Sequence, residues 1–222
     1  MDTLDSRSLS YVDRFIQKLS KEGVVHYQLT GAAGCCIPLD KETAYKIVVK
    51  PGAGRPVPPS RRGGAGRAAK QHDVQVLRKG NTLIAEPGQL EIEAGDVVLW
   101  HTDDPLATGF VVRGEGDGES FDSSALSHEA VYTHAFGLEG EYEWVDAHKG
   151  RTSGTVIVRS PKGDDPEECK KWMGALGEGA VVLIEGDRVE PKRLEIVTGQ
   201  TVFWAVQKAE GISITDARLV KR

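Results

Sequence analysis

The chain has few cysteines and no long apolar run, and each shortage excludes a class of protein. Three cysteines, two of them adjacent, do not form the disulfide framework of a small secreted domain. No stretch approaches the roughly 20 apolar residues of a membrane-spanning helix. The first residues lack the basic head and apolar segment of a secretory signal. We expect a cytoplasmic protein without a membrane span, or a periplasmic or extracellular one if the natural start lies upstream.

Several activities are also excluded by charge and by missing motifs. A formal net charge of −5 over 222 residues is mild, so nucleic acid is not an expected partner. The Gly-x-Ser-x-Gly, HExxH and dinucleotide-binding glycine patterns are absent from the sequence. The paired acids Asp103-Asp104 and Asp164-Asp165 fall in predicted turns, where aspartate suits the backbone geometry. We therefore expect a protein that is not an enzyme.

Glycine is abundant, at 26 residues, and short apolar segments alternate with turns. This pattern predicts an all-β protein with many strands. Strands are predicted at 24–29, 44–50, 73–78, 89–93, 96–101, 109–113, 131–136, 141–145, 154–159, 180–184, 193–197, 200–205 and 211–214.

Two short helices interrupt the predicted strands. Within residues 1–23, an amphipathic helix is predicted over 8–22 because apolar residues recur there at helical spacing. Its stripe includes Phe15, Ile16 and Leu19, which dock either on this protein or on a partner. The second helix begins at Asp165-Pro166 and ends at Gly177, within a connector over 162–179.

Residues 52–72 differ in composition from the rest of the chain, being rich in glycine, proline and arginine. They carry no acidic residue before Asp73, and no Gly-Lys-Ser/Thr follows the glycines. The simpler interpretation is a solvated linker or loop. The alternative is an arm that binds phosphates or an acidic partner. Its candidate binding residues are Arg55, Arg61, Arg62 and Arg67.

An internal repeat relates two parts of the chain at a spacing of 104 residues, as from Trp100 to Trp204. Residues Pro87, Leu90, Glu91, Ile92, Gly95, Val98 and Trp100 match Pro191, Leu194, Glu195, Ile196, Gly199, Val202 and Trp204. The segment 44–51 also resembles 154–161. We predict a complete sandwich over 73–161 and a half repeat over 180–222 that 24–51 completes.

Two segments of the sequence carry a resemblance to a known family. Gly95-Asp96-Val97-Val98-Leu99-Trp100 is a turn followed by a strand, and Tyr142-Glu143-Trp144 precedes the last strand of the predicted sandwich. Together they resemble cupredoxins, the blue-copper proteins related to plastocyanin and azurin. The resemblance implies a Greek-key β-sandwich with a second, partial cupredoxin-like repeat.

The resemblance also implies a copper site of two histidines, one cysteine and usually a methionine. The first histidine position holds Thr108 or Gly109, and the cysteine position holds Val145 or Asp146. The methionine position holds Thr152 or Ser153, so His148 is the one family ligand retained. The copper site is degenerate, and no cofactor is expected.

The leading hypothesis is a non-enzymatic, cupredoxin-like binding or assembly module, whose partner is another protein or a second copy of the chain. One alternative is a copper-binding electron-transfer protein with an atypical site that uses His148 with Cys35, Cys36 or His101. Another is a thiol redox sensor built on the adjacent Cys35 and Cys36.

Overall fold

A computed structural model describes residues 3–32, 45–52, 68–161 and 165–220. Most of these residues lie in strands, so the prediction of an all-β protein is confirmed. The strands of the first half are β1 (Asp13–Lys18), β2 (Gly23–Gly31), β3 (Tyr45–Lys50), β4 (Gln71–Lys79), β5 (Thr82–Glu86), β6 (Gln89–Glu93), β7 (Val97–His101), β8 (Phe110–Gly116) and β9 (Glu119–Asp122). The second half contains β10 (Ala130–Ala135), β11 (Gly140–Val145), β12 (Ser153–Arg159), α1 (Pro166–Leu176), β13 (Ala180–Glu185), β14 (Arg188–Glu190), β15 (Arg193–Val197), β16 (Thr201–Lys208), β17 (Thr215–Asp216) and α2 (Ala217–Val220).

One eight-stranded sheet runs through both halves of the molecule. Its strand order is β14-β13-β16-β10-β1-β7-β4-β5, and the antiparallel pair β1–β10 joins the halves at its centre. The first half adds a five-stranded sheet, β6-β3-β2-β8-β9, and the second half adds a four-stranded sheet, β15-β12-β11-β17. Each smaller sheet is therefore built from one half of the chain alone.

A row of buried side chains crosses the eight-stranded sheet. Its members pair in the order Val74, Trp100, Phe15, Tyr132, Trp204 and Val182. The ring centroids of Phe15 and Trp100 lie 5.4 Å apart, and those of Tyr132 and Trp204 lie 5.6 Å apart. Every member is at most 1% exposed, so this row is the centre of the core.

Both smaller sheets cover the face of the large sheet that carries this row. Trp100 contacts Tyr27 of β2, with centroids 5.5 Å apart, and Trp204 contacts Trp144 of β11, with centroids 6.2 Å apart. Side chains directly paired across strands project from the same face of a sheet. The molecule therefore has two sandwich-like layers side by side under one shared sheet.

The two halves use the same contacts at related positions. The amide of Gly95 donates to the Leu19 oxygen at 2.7 Å, and the amide of Gly199 donates to the Phe136 oxygen at 2.7 Å. Strand β3 pairs in parallel with β6, and β12 pairs in parallel with β15. Strand β6 leads into the Gly95 turn, and strand β15 leads into the Gly199 turn. The parallel pairing therefore involves the same strand of each half.

The predicted N-terminal helix over 8–22 is wrong, because residues 13–18 form strand β1. Phe15 and Leu19 are buried, while Ile16 is half-buried on the opposite face of the sheet. Burial thus alternates with a period of two, and the apolar residues at helical spacing belong to both sides of one strand. Phe15 and Leu19 are core residues, so they do not serve as a partner-binding surface.

The predicted pairing of 24–51 with 180–216 is wrong for the described residues. Strands β2 and β3 pair instead with β8 and β6 of the first half. Strands β11 and β12, within 73–161, instead pair with β17 and β15. The segments 44–51 and 154–161 resemble each other because they occupy corresponding places in two halves. The boundary between halves lies between β9 and β10.

The connector helix lies where the sequence predicts it. Its N-cap is Asp165, whose side chain accepts the amide of Glu167 at 2.9 Å, and Pro166 occupies the first turn. Among the described residues, neither helix is long and apolar enough to span a membrane.

We expect Gly95→Ala to lower the free energy of unfolding by about 1–2 kcal/mol, because a side chain disfavours left-handed backbone. Gly95 has φ of 96°, and an added Cβ would meet nothing within 4 Å, so the cost is conformational. Gly174→Ala in α1, also free of contacts, is the control and should gain about 0.5–1 kcal/mol. Urea unfolding measures both, and equal effects would contradict this account.

Candidate functional site

His148 lies in the turn between β11 and β12, beside the buried carboxylate of Asp146. That carboxylate accepts the backbone amides of His148, Lys149 and Ser213 at 2.9–3.0 Å. The His148 ring nitrogen Nε2 lies 2.7 Å from the backbone oxygen of Ser124 and is engaged in that hydrogen bond. Both side chains therefore anchor the turn to neighbouring loops of the fold.

The loop that holds the first predicted ligand position lies elsewhere. The amide of Gly109 donates to the Leu9 oxygen at 2.9 Å, and its oxygen accepts the amide of Ala32 at 2.8 Å. These contacts belong to the first half, whereas His148 belongs to the second. The counterpart of Gly109 in the second half is Gly211, since Phe110 bridges Leu9 and Ile212 bridges Leu126; Ser213, two residues after Gly211, contacts Asp146. The predicted copper site thus combined Thr108 or Gly109 of the first half with His148 of the second half.

These residues do not fit a type 1 copper site. Such a site brings two imidazoles and a thiolate to one point, and the thiolate is the soft ligand that stabilises Cu(I). The turn at His148 offers one imidazole, and Asp146 and Ser213 supply oxygen atoms that are already hydrogen-bonded. Within the described ranges, no three His, Cys, Asp or Glu side chains come together to hold a metal.

The other predicted site residues fall partly outside the described part of the chain. Cys35, Cys36, Arg55, Arg61, Arg62 and Arg67 all lie outside the described residues. The redox-pair hypothesis and the basic-arm hypothesis therefore remain predictions. Of the three apolar candidates in and directly after β1, Phe15 and Leu19 are buried and Ile16 is on a surface.

A buried polar cluster joins the two halves next to the aromatic row. The Asp13 carboxylate accepts the Tyr132 hydroxyl at 2.6 Å and His134 Nδ1 at 2.7 Å through Oδ1. Its Oδ2 accepts the Ser10 amide at 2.9 Å and the Ser10 hydroxyl at 2.7 Å. Because a carboxylate only accepts, the His134 proton lies on Nδ1. Four bonds satisfy one buried charge, so the cluster is a structural clamp.

The face of the eight-stranded sheet opposite the smaller sheets carries apolar side chains at its centre; we call it the open face. Its central row pairs five apolar side chains across five strands: Leu183, Ala205, Val131, Ile16 and Leu99. Phe203 and Val181 adjoin this row. Leu183 is 43% exposed and Val181 is 48% exposed, while Ile16, Leu99, Val131, Phe203 and Ala205 are half-buried.

Two grooves cross the open face, and Ile16 lines both. One, of about 590 Å³, lies among Val97, Val131 and Ala205, and the other, of about 510 Å³, lies among Leu99, Phe203 and Thr133. Both grooves are lined mainly by aliphatic or aromatic atoms. A concave, apolar surface of this kind is suited to contact with another macromolecule.

Charged groups surround the apolar row. Asp73 pairs with Leu99 at one end of the row, and Glu190 pairs with Leu183 at the other. Lys18 forms an ion pair with Glu129 across the β1–β10 junction. An apolar centre with a charged rim is the usual anatomy of a protein–protein interface.

Sequence reasoning did not identify the open face, although a signal was present. Residues 202–206 and 97–100 are continuous apolar runs rather than alternating ones. A strand with one solvated face should alternate apolar and polar residues, so a continuous run indicates two apolar faces. The Asp13–His134 contact had no such signal, because the residues are distant in sequence.

Comparison of the chain with protein-family models, with curated proteins and with solved structures finds no match in any of the three.

We expect Asp13→Asn to lower the free energy of unfolding by about 3–5 kcal/mol, because removing one partner leaves buried polar groups unpaired. Asp73→Asn is the matched control, since Asp73 is exposed and accepts a hydrogen bond from the side-chain amide of Gln71 at 2.9 Å. The control should change stability by less than about 0.5 kcal/mol. Urea unfolding compares the two, and similar losses would argue against a clamp.

A second prediction concerns alkaline pH. Burial, with the adjacent Asp13 carboxylate, raises the pKa of Tyr132 well above its usual value, and burial also raises the pKa of Tyr27. Because the folded state retains these protons, their stabilisation is complete below the unfolded pKa of about 10 and is lost as pH rises beyond it.

Absorbance at 295 nm, followed with circular dichroism, should show that at least two of the five tyrosines ionise only on unfolding. Tyr132→Phe should leave one resistant tyrosine and weaken the alkaline loss of stability. Ionisation of all five in a chain with an unchanged dichroism spectrum would contradict the expected pKa directions.

Proposed function

We propose that the chain is a non-enzymatic protein of cupredoxin-like, Greek-key architecture that lacks a type 1 copper site. It acts as a binding and assembly module, and the open face is its docking surface. The observation that carries this proposal is the row of five apolar side chains on a sheet face that no described element covers. The partner is another protein or a second copy of this chain.

The energetics of the open face support a binding role. Its central side chains are aliphatic where a solvated strand face would be polar. Burying one such side chain from water gains about 1.5–3 kcal/mol, so several together can drive a stable association. Backbone groups inside the sheet are already paired, so a partner meets side chains and need not add a strand.

The geometry of the second half supports the copper-free part of the proposal. Asp146 stands at one of the two places, Val145 or Asp146, that the resemblance gives to the thiolate, and Ser213 lies two residues after Gly211, the counterpart of Gly109. The two are hydrogen-bonded, with the Ser213 amide donating to Asp146 at 3.0 Å. The loops that hold copper ligands in cupredoxins are therefore joined here by a structural contact, and His148 is hydrogen-bonded to the backbone oxygen of Ser124.

The docking role can be tested with a photoreactive residue at one of two exposed leucines. Leu183 lies on the open face and is 43% exposed, whereas Leu106 lies in the loop after β7 and is 63% exposed. In the cells that make this protein, irradiation should give a covalent adduct with one defined polypeptide from position 183. Mass spectrometry should place the linkage on the open face.

Position 106 is the control, because it is more exposed but outside the proposed surface. An adduct from 183 alone supports the proposal. Equal adducts from both positions, or none from either, overturn it.

Copper titration tests the rival electron-transfer role. We expect no intense absorption near 600 nm, because the thiolate-to-copper transition requires a cysteine ligand. Replacing His148 by alanine should leave any weak copper binding at exposed groups unchanged. A blue species with one copper per chain would overturn the copper-free assignment.

A further inference from the structure

We infer that the partner on the open face is a second copy of this chain, packed face to face about a two-fold axis that runs along the strands between β1 and β10. This inference rests on the proposed docking role of the open face and specifies its occupant. Three features of the described residues carry it: the size of the face, its symmetry and the positions of its charges.

The size of the face matches a stable interface. Eight strands about 4.8 Å apart, averaging roughly six residues of about 3.3 Å each, give a face of roughly 750 Å². A standard protein–protein interface buries about 800 Å² on each partner. Two such sheets pack at about 10 Å, with strand directions within about 30°. The open face is therefore large enough for one sheet-on-sheet contact with its own copy.

The symmetry of the sheet favours a self-complementary contact. Three strands lie on each side of the central β1–β10 pair, and those strands come from the two halves in the same spatial order. Rotation about an axis along the strands places β1 over the copy's β10 and β7 over the copy's β16. Ile16 then meets Val131 of the copy, and Leu99 meets Ala205. The apolar row is thus buried against itself in reverse order.

The charges agree with this orientation. Lys18 is the last residue of β1, and Glu129 directly precedes β10. The two residues lie side by side at the same end of the β1–β10 pair, so the rotation places Lys18 over Glu129 of the copy. Asp73, which pairs with Leu99, meets the Leu183 region of the copy rather than another acid. No like charges face each other in the arrangement.

The other two-fold arrangement, with its axis across the strands, is disfavoured. It would place Arg14 over Lys18 of the copy, because these residues flank Ile16 on the same strand face. It would also place Asp73 over its own copy. Like charges brought together at an interface cost several kcal/mol, so the first orientation is selected.

The experiment is a mass measurement on the purified full chain at about 100 μM, a concentration well above a micromolar dissociation constant. Light scattering should give twice the chain mass of 24.0 kDa. Ile16→Glu should shift the protein to the monomer mass, and so should Leu183→Glu at an exposed position that tolerates the change. Leu106→Glu is the control and should remain a dimer, with circular dichroism showing that each variant is folded.

A cross-linking experiment tests the orientation. Chains carrying Leu99→Cys, mixed with chains carrying Ala205→Cys, should be joined by a bifunctional thiol reagent that spans about 10 Å, the spacing of packed sheets. Leu99→Cys alone should not exceed the background of the natural chain with its three cysteines, because the proposed axis separates the two copies of this residue by three strands. Efficient linkage of Leu99→Cys to itself would overturn the proposed axis.

A monomeric natural chain, or a dimer that both glutamate variants leave intact, overturns the inference. If the natural chain is monomeric but position 183 still links to a different polypeptide in cells, the second-copy inference fails and the docking role stands. If the chain is monomeric and position 183 gives no adduct, both proposals fail.

Discussion

Phe15 and Tyr132 face each other where β1 meets β10, and this pairing makes one molecule of two halves. Each half alone would end in an unpaired strand at this point, with free backbone groups and a half-covered tryptophan. The pairing closes both edges, and the aromatic row continues from Trp100 to Trp204 without a break. The Asp13 clamp adds polar contacts at the same junction, between Ser10 of the first half and His134 of the second.

The four strands of each half are joined into one eight-stranded sheet, and this joining determines which surfaces are free. Because both smaller sheets cover the face that carries the aromatic row, the opposite face of all eight strands is left without a layer from the described chain. Two separate sandwiches would each expose four strands in different directions. The shared sheet instead gathers the exposed strand faces into one continuous surface, large enough for a single partner.

Local signals in the sequence predicted most of the strands, the Gly95 and Gly199 turns and the α1 cap, because each depends on residues close in the chain. They missed β5, β9 and β14, and the strand predicted at 211–214 is wrong, since the structure has an isolated bridge at Ile212 there. They failed at β1, where apolar residues on two faces of a strand imitate the spacing of a helix. They also failed to assign segments to halves, because resemblance between 44–51 and 154–161 shows equivalence and does not show which strands pair. The Asp13–His134 contact depends on residues 121 positions apart, so no local pattern contains it.

The apolar composition of the open face is the remaining constraint on its role. Folding alone requires apolar residues on one face of this sheet, since the other face could be polar as in many antiparallel sheets. Ile16, Leu99 and Val131 therefore add nothing that the core of one chain needs, and aliphatic side chains at a solvated surface reduce solubility. Their presence side by side in adjacent strands is explained if the face is covered in the functional state. The turn around Asp146 is held by hydrogen bonds within the fold, so the face of the shared sheet is the surface that remains to be accounted for.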